Sequence, residues 1–330
     1  MKQLLLAISV ASFAVSAGMA HTPPAAAPSP GEIVAAAPAN DWTAIAASDL
    51  LVMDLAPDAQ GKARRVVIQL LPAPFSQGWI GNIRKLAAAQ WWDGTSVNRV
   101  QDNYVVQWGD ATEKKPVPSS LVAVSDRDYA VSWENIPLTL SKHTLALLEP
   151  GEVSEPMAGD WRTRDAYTNF VDIIQGWPIA SDWPVPASPQ AATAWPVHCY
   201  AMVGVGRNLS PDTGSGAELY TVIGHAPRHL DRNIALVGRV IEGIGHLSSL
   251  PRGTGALGFY ESAAERVPIV SVRIGTGIAD LPVFEYLTTA SMTFAAYADA
   301  RANRRDPFFN VPAGGADICN IPVPVRRKTK

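Results

Sequence analysis

Arg99 and Gln107 stand among apolar neighbours in "SVNRVQDNYVVQWGD" (residues 96–110), where Val97, Val100, Val105, Val106 and Trp108 read as strand. Asp102-Asn103 is a good turn pair, so the stretch divides into two short strands. An arginine keeps its charge and presents several fixed donors, which suits it to stabilise electron density developing on a substrate atom. Val105 and Gln107 share strand parity and so can face the same surface. The structural alternative is a buried ion pair from Arg99 to Asp110 or Glu218.

Other spellings carry less chemistry. "GTGALG" (253–258) fits a dinucleotide-loop pattern but follows "LSSLPR" rather than a strand, and no helix opens after it, so a turn is expected. "DTGS" (212–215) spells an aspartic-protease signature once, whereas that chemistry needs two carboxylates sharing a proton. His225 and His229 are four apart, but Pro227 separates them and no third metal ligand is near. No H-E-x-x-H or G-x-S-x-G occurs. A hydrolase site in the middle of the chain would have only isolated acids, His143 and His198 to work with.

The elements that must position Arg99 are strands. "LLVMDL" (50–55) and "RVVIQLL" (65–71) flank a turn-rich connection, and "SQGWIGNIRKLAAAQ" reads as a helix with Ser76 as its N-cap. Strand signals resume at "CYAMVGV" (199–205), "ELYTVIG" (218–224), "ALVGRVI" (235–241) and "PIVSVRIG" (268–275), with a short helix expected in "EGIGHLSSL". Residues 111–198 are rich in tryptophan and proline ("GWP", "DWP", "AWP" at Trp177, Trp183 and Trp195). They read as an insertion of short elements packed on the domain. Residues 283–305 read as one long helix and "RRKTK" as a solvated tail. Short strands with few helices favour a closed antiparallel barrel.

The chain has 330 residues, 47% of them apolar and 17% charged, with a net charge of -3. That composition supports a sizeable core and gives no basic footprint for nucleic acid. "MKQLLLAISVASFAVSAGMA" has the charged start, apolar run and small-residue end of a secretory signal, with cleavage expected after Ala20. No later segment is long and apolar enough to cross a membrane, so no stable membrane insertion is expected after cleavage. Residues 21–40 are Ala/Pro-rich and expected to be flexible. Cys199 and Cys319 are the two cysteines, suiting either one disulfide in an oxidising compartment or two buried thiols.

Five segments in order carry a resemblance: "RVVIQLLP", "GNIRKLA", "WWDGTSVNRVQDNYVVQWGD", "CYAMVGVG" and "GSGAELYTVIGHAPRHLDRNIALVGRVIEGI". Together they resemble the cyclophilin family of peptidyl-prolyl isomerases, across roughly residues 48–110 and 199–275. The resemblance implies a mainly β fold, a closed eight-stranded antiparallel barrel capped by helices. It places the domain at 41–280, with the insertion at about 111–198 and a C-terminal helical extension and basic tail at 281–330.

The family's catalytic arginine falls on Arg99 and its strand glutamine on Gln107. The proline pocket would be lined by Tyr104, Val105, Tyr220 and Leu230. Four positions depart from the family: Glu218 replaces a second glutamine, His229 an aromatic rim residue, Ile234 a pocket histidine, and Gly204 an asparagine. All four remain candidate substrate-binding residues. The implied function is an exported, periplasmic or secreted, prolyl isomerase acting on proline-containing segments without cofactor or metal. The alternative is a non-catalytic proline-peptide or partner-binding module on the same barrel.

Overall fold

The computed structural model describes residues 26–136, 160–182 and 192–328. The expected signal peptide, His143 and Trp183 lie outside them. In chain order the first elements are α1 (Pro30–Ala35), β1 (Trp42–Ile45), β2 (Leu50–Leu55), β3 (Arg64–Leu70), α2 (Gln77–Ala88), β4 (Ser96–Val100) and β5 (Val105–Gly109). Within the insertion follow β6 (Val131–Ser132), β7 (Phe170–Ile174), β8 (Trp177–Ser181) and β9 (Thr193–Pro196). Then come β10 (Met202–Val205), β11 (Leu219–Val222), β12 (Leu236–Glu242), α3 (Gly245–Ser248) and β13 (Val267–Ile274). The chain continues with β14 (Phe284–Leu287), α4 (Met292–Asn303) and β15 (Val325–Arg327).

Eight of these strands close an antiparallel barrel in the order β10-β11-β5-β4-β13-β2-β3-β12. Alternate residues fill its interior: Leu51 and Met53 from β2, Val66 and Ile68 from β3, Val106 and Trp108 from β5. α2 lays Trp79, Ile80, Ile83 and Leu86 onto that core at helical spacing. The nearly unbroken apolar runs of β2 and β3 have a physical cause, because both of their faces are covered. A three-stranded sheet, β1-β14-β15, packs on the outer side and joins Ile45 and Phe284 to Leu50 and Val67.

The insertion adds a four-stranded sheet of order β6-β9-β8-β7, whose Phe170, Trp177 and Trp195 are buried in the main cluster together with Trp133 just after β6. None of its strands exceeds five residues. Cys199 and Cys319 form a disulfide that ties the connection between β9 and β10 to the C-terminal segment.

Three local expectations are corrected. The single helix expected over 283–305 is a strand followed by a helix. "FEYL" pairs with β1 and β15, and Ser291 Oγ then accepts Phe294 N–H to start α4. Aromatic residues in a short apolar run fit either period, and here the sheet partners decide. The basic end is not free: Arg327 pairs with Glu242, and Arg326 pairs with Glu285 while lying 3.7 Å from the Trp42 ring centre. Part of the Ala/Pro-rich stretch is ordered, because Ser29 and Glu32 form a reciprocal cap on α1, which packs against α4. Ser76 does occupy the N-cap of α2 as expected, though in a left-handed conformation and with no capping bond from its side chain.

Candidate functional site

The strand pair β4–β5 contains a β-bulge. Val97 lies opposite Trp108, but Arg99 rather than Asn98 lies opposite Gln107, and Val100 lies opposite Val106. The extra residue shifts parity by one. Val97 and Val100 therefore both enter the barrel core, while Arg99 turns to the outer face beside Gln107. The turn that joins the strands places Asn103 at φ 49, and its Oδ1 accepts the N–H of His225.

The outer face continues across neighbouring strands. Tyr220 on β11 lies opposite Gln107, Val222 lies opposite Val105, and Gly204 on β10 lies opposite Tyr220. Arg99, Gln107, Tyr220 and Gly204 thus form one row over β4, β5, β11 and β10. A Cβ at Gly204 would sit 2.3 Å from the Tyr220 hydroxyl, so a side chain here would force the Tyr220 ring to move. Beside the row, Val105, Tyr220 and Val222 form an apolar cluster separate from the barrel core, with Tyr104, Leu230 and Ile234 packed against it. His229 stacks on Tyr104, with ring centres 6.4 Å apart and planes 12° from parallel.

Arg99 is partly buried and held by neutral acceptors. Its Nε donates to Leu257 O at 2.8 Å, Nη1 to Gln107 Oε1 at 3.2 Å, and Nη2 to Gln101 Oε1. The rings of Phe259 and Tyr104 lie 5.2 and 5.7 Å from its guanidinium carbon. Burial lowers its pKa, with the Tyr104 hydroxyl opposing.

Neither ion pair considered for it forms among the described residues. Asp110 accepts backbone N–H groups of Thr112, Lys114 and Lys115 instead. Glu218 is reached only through Gln107, whose Nε2 lies 3.5 Å from Glu218 Oε2, as does Asn98 Nδ2. Burial raises the pKa of Glu218, opposed by those two amides.

Behind the pocket wall runs a buried polar chain. The Tyr220 hydroxyl lies 2.9 Å from His198 Nε2, and His198 Nδ1 lies 2.8 Å from Asp231 Oδ1. Arg228 Nε binds the second oxygen of Asp231 at 2.7 Å and its Nη atoms bind Asp165. Burial pushes the Tyr220 hydroxyl well above its ordinary pKa, so it stays protonated beside the imidazole.

All ten residues singled out from the sequence therefore meet around one surface. Sequence reasoning missed Leu257 and Phe259, which lie in and after the glycine-rich "GTGALG" turn, and also Gln101, Val222 and Asp231, and it named His198 only for a hydrolase site. A tyrosine in a pocket otherwise apolar was the available signal for His198, since a buried hydroxyl needs a partner. Among the described residues no group of three or more His, Cys, Asp or Glu side chains is placed to hold a metal ion. No described helix is long and apolar enough to cross a membrane.

A family model described as cyclophilin type peptidyl-prolyl cis-trans isomerase/CLD matches residues 65–274. Among solved structures, a cyclophilin from Hirschia baltica is similar in fold. It has a TM-score of 0.60 at 19% identity, covering 88% of this chain and 95% of that one. A cyclophilin type peptidyl-prolyl cis-trans isomerase from Cryptosporidium parvum, crystallised in the presence of the dipeptide Ala-Pro, gives 0.34 at 10% identity. That match covers 68% of this chain and 98% of the other. No curated protein matches the chain.

Proposed function

This chain belongs to the cyclophilin-type peptidyl-prolyl cis-trans isomerases, and on that premise we propose that it is an exported enzyme accelerating X–Pro isomerisation in other polypeptides. Rotation about a peptide bond faces a barrier of ~18–20 kcal/mol. At X–Pro bonds the uncatalysed change takes on the order of tens to hundreds of seconds. No nucleophile or cofactor is required. A pocket must hold the ring while the amide twists, and a donor must meet the lone pair that returns to the proline nitrogen as conjugation is lost.

The observation that carries this reading is the outward-facing Arg99 beside an apolar pocket. Tyr104, Val105, Tyr220, Val222, Leu230 and Ile234 offer the ring its seat. Gln107 and the Leu257 carbonyl fix the guanidinium so that little reorganisation is needed in the transition state.

One observation favours a second reading, a barrel that grips proline segments without turning them over. Three N–H groups of Arg99 are already taken by protein acceptors. Catalysis relies on the remaining donors of its five. A protease-coupled assay on an Ala-Pro peptide separates the two readings. The enzyme reading expects a rate above background that falls sharply in Arg99→Ala. Peptide binding with no rate gain, or an undiminished rate in the variant, refutes it.

Export is proposed on the character of residues 1–20 and on the disulfide, which suits an oxidising periplasm or medium. N-terminal sequencing of the mature protein should begin at His21; recovery of an intact Met1 from the cytoplasm would overturn it.

A further inference from the structure

Arg239 lies in the middle of β12, between the barrel and the layers added around it. Its Nε and Nη2 donate to Gln69 Oε1 at 3.0 and 2.8 Å, and its Nη1 donates to Gly176 O at 2.7 Å. The Trp177 ring centre lies 4.6 Å from its guanidinium carbon. Every one of these partners is neutral, and no carboxylate among the described residues pairs with it. The other two of its five donors have no acceptor among the described residues. Burial lowers its pKa to about 10, so the group is a cation at neutral pH. A buried charge without a counter-charge is unfavourable, and proteins ordinarily supply a partner.

Next to it is a cavity of about 390 Å³, with Arg239 in its wall. The rest of the lining is largely aliphatic, including Met202, Ile241, Ile318, Ile321 and Val323. One wall is the C-terminal segment, which lies outside the family match at 65–274 and is held by the Cys199–Cys319 bond, itself part of the lining. The groove of Arg99 and Tyr220 shares none of these residues.

We infer that this cavity binds an aliphatic monocarboxylate of medium chain length, with the carboxylate seated on Arg239 and the alkyl chain along the isoleucine and valine wall. A carboxylate supplies the missing counter-charge and accepts the unused guanidinium donors in a planar arrangement. The alkyl chain gains by leaving water against an aliphatic lining. The volume falls within the usual range of small-ligand sites. This inference does not depend on isomerase activity.

Titration calorimetry of the full mature chain with decanoate, decanol and acetate tests it, with the probes kept below micellar concentrations. Decanoate is expected to bind saturably at one site. Decanol lacks the charge and acetate lacks the chain, so each should bind at least about tenfold more weakly. Arg239→Met should weaken decanoate by a similar factor. Because that variant disturbs a buried network, Val323→Trp provides a second arm: it fills the cavity from the C-terminal wall, leaves β12 intact, and should abolish binding. No binding of decanoate to the wild type, equal binding of decanol, or undiminished binding by Val323→Trp would each overturn the inference.

Discussion

Arg99 and Gln107 face each other across the bulge at Asn98, joined by an Nη1–Oε1 bond of 3.2 Å. The bond uses the carbonyl end of Gln107 and leaves its amide nitrogen towards Glu218. The orientation of the catalytic candidate thus depends on a neutral side chain, and the two can be separated by mutation. Arg99→Ala should lower kcat/KM on an Ala-Pro peptide by roughly 10²–10³, the usual cost of losing one transition-state donor. Arg99→Lys should recover little, because an ammonium cannot keep bonds to Leu257 O and Gln107 together. Gln107→Ala should cost about tenfold by loosening the guanidinium. Equal losses in the Gln107 and Arg99 variants would contradict this division of roles.

Gly204→Ala should act through Tyr220. The new Cβ cannot coexist with the hydroxyl position, so the ring must shift into the pocket. A stability loss of about 1–3 kcal/mol is expected from overpacking. KM should rise more than kcat falls. Denaturant unfolding and steady-state kinetics read the two effects, and an unchanged KM would place Tyr220 outside the substrate seat.

Glu218 makes a prediction with a definite sign. Burial raises its folded pKa above the ordinary carboxylate value, so the folded state holds its proton more tightly than the unfolded chain does. Its contribution is therefore fully present below the unfolded value and is lost as pH rises through the raised folded value. Glu218→Gln keeps the shape and removes that loss. Its stability relative to the wild type should grow across the acid range and level off towards neutral pH. Unfolding midpoints from pH 4 to 8 would show it, and a difference that shrinks with pH would mean the carboxylate is favourably ionised in the fold.

His198 and Tyr220 should be energetically coupled. Either His198→Phe or Tyr220→Phe leaves a buried polar group unpaired, at a cost of about 1–3 kcal/mol each. The double variant should cost less than the sum of the singles, as a double-mutant cycle would report. Strict additivity would mean that the 2.9 Å approach contributes nothing.

The disulfide spans 120 residues of sequence, so closing it constrains a long unfolded loop. Replacing both cysteines by serine should lower stability by about 2–5 kcal/mol. Isomerase activity should survive under conditions where the variant stays folded, since neither sulfur touches the groove. Activity lost without loss of fold would instead tie the C-terminal segment to catalysis.

Much of this architecture was legible in the residues. The alternation of Val106 and Trp108 against Val105 and Gln107 identifies the two faces of β5 directly, and the turn at Asp102-Asn103 closes the hairpin. β4 carries a subtler signal: Val97 and Val100 are three apart, a spacing that a regular strand cannot bury on one face. An inserted residue resolves it, and that insertion turns Arg99 outwards. What supports Arg99 from the side was not legible. Leu257 and Phe259 are 158 and 160 positions away, and nothing in "GTGALGF" marks a carbonyl or a ring as its partner. The sheet β1-β14-β15 was hidden for a similar reason. Its three strands are short, far apart in sequence, and defined by one another rather than by local pattern.

That sheet also decides how the molecule bears load. β1 and β15 flank β14 and run in the same direction, each antiparallel to it. Tension applied near Trp42 and beyond Arg327 would therefore pull along the strands, in opposite senses on either side of β14. The ladder bonds would have to fail together instead of peeling one by one. A chain held at these two points should resist until this sheet shears, and only then expose the apolar outer faces of β2 and β3 beneath it.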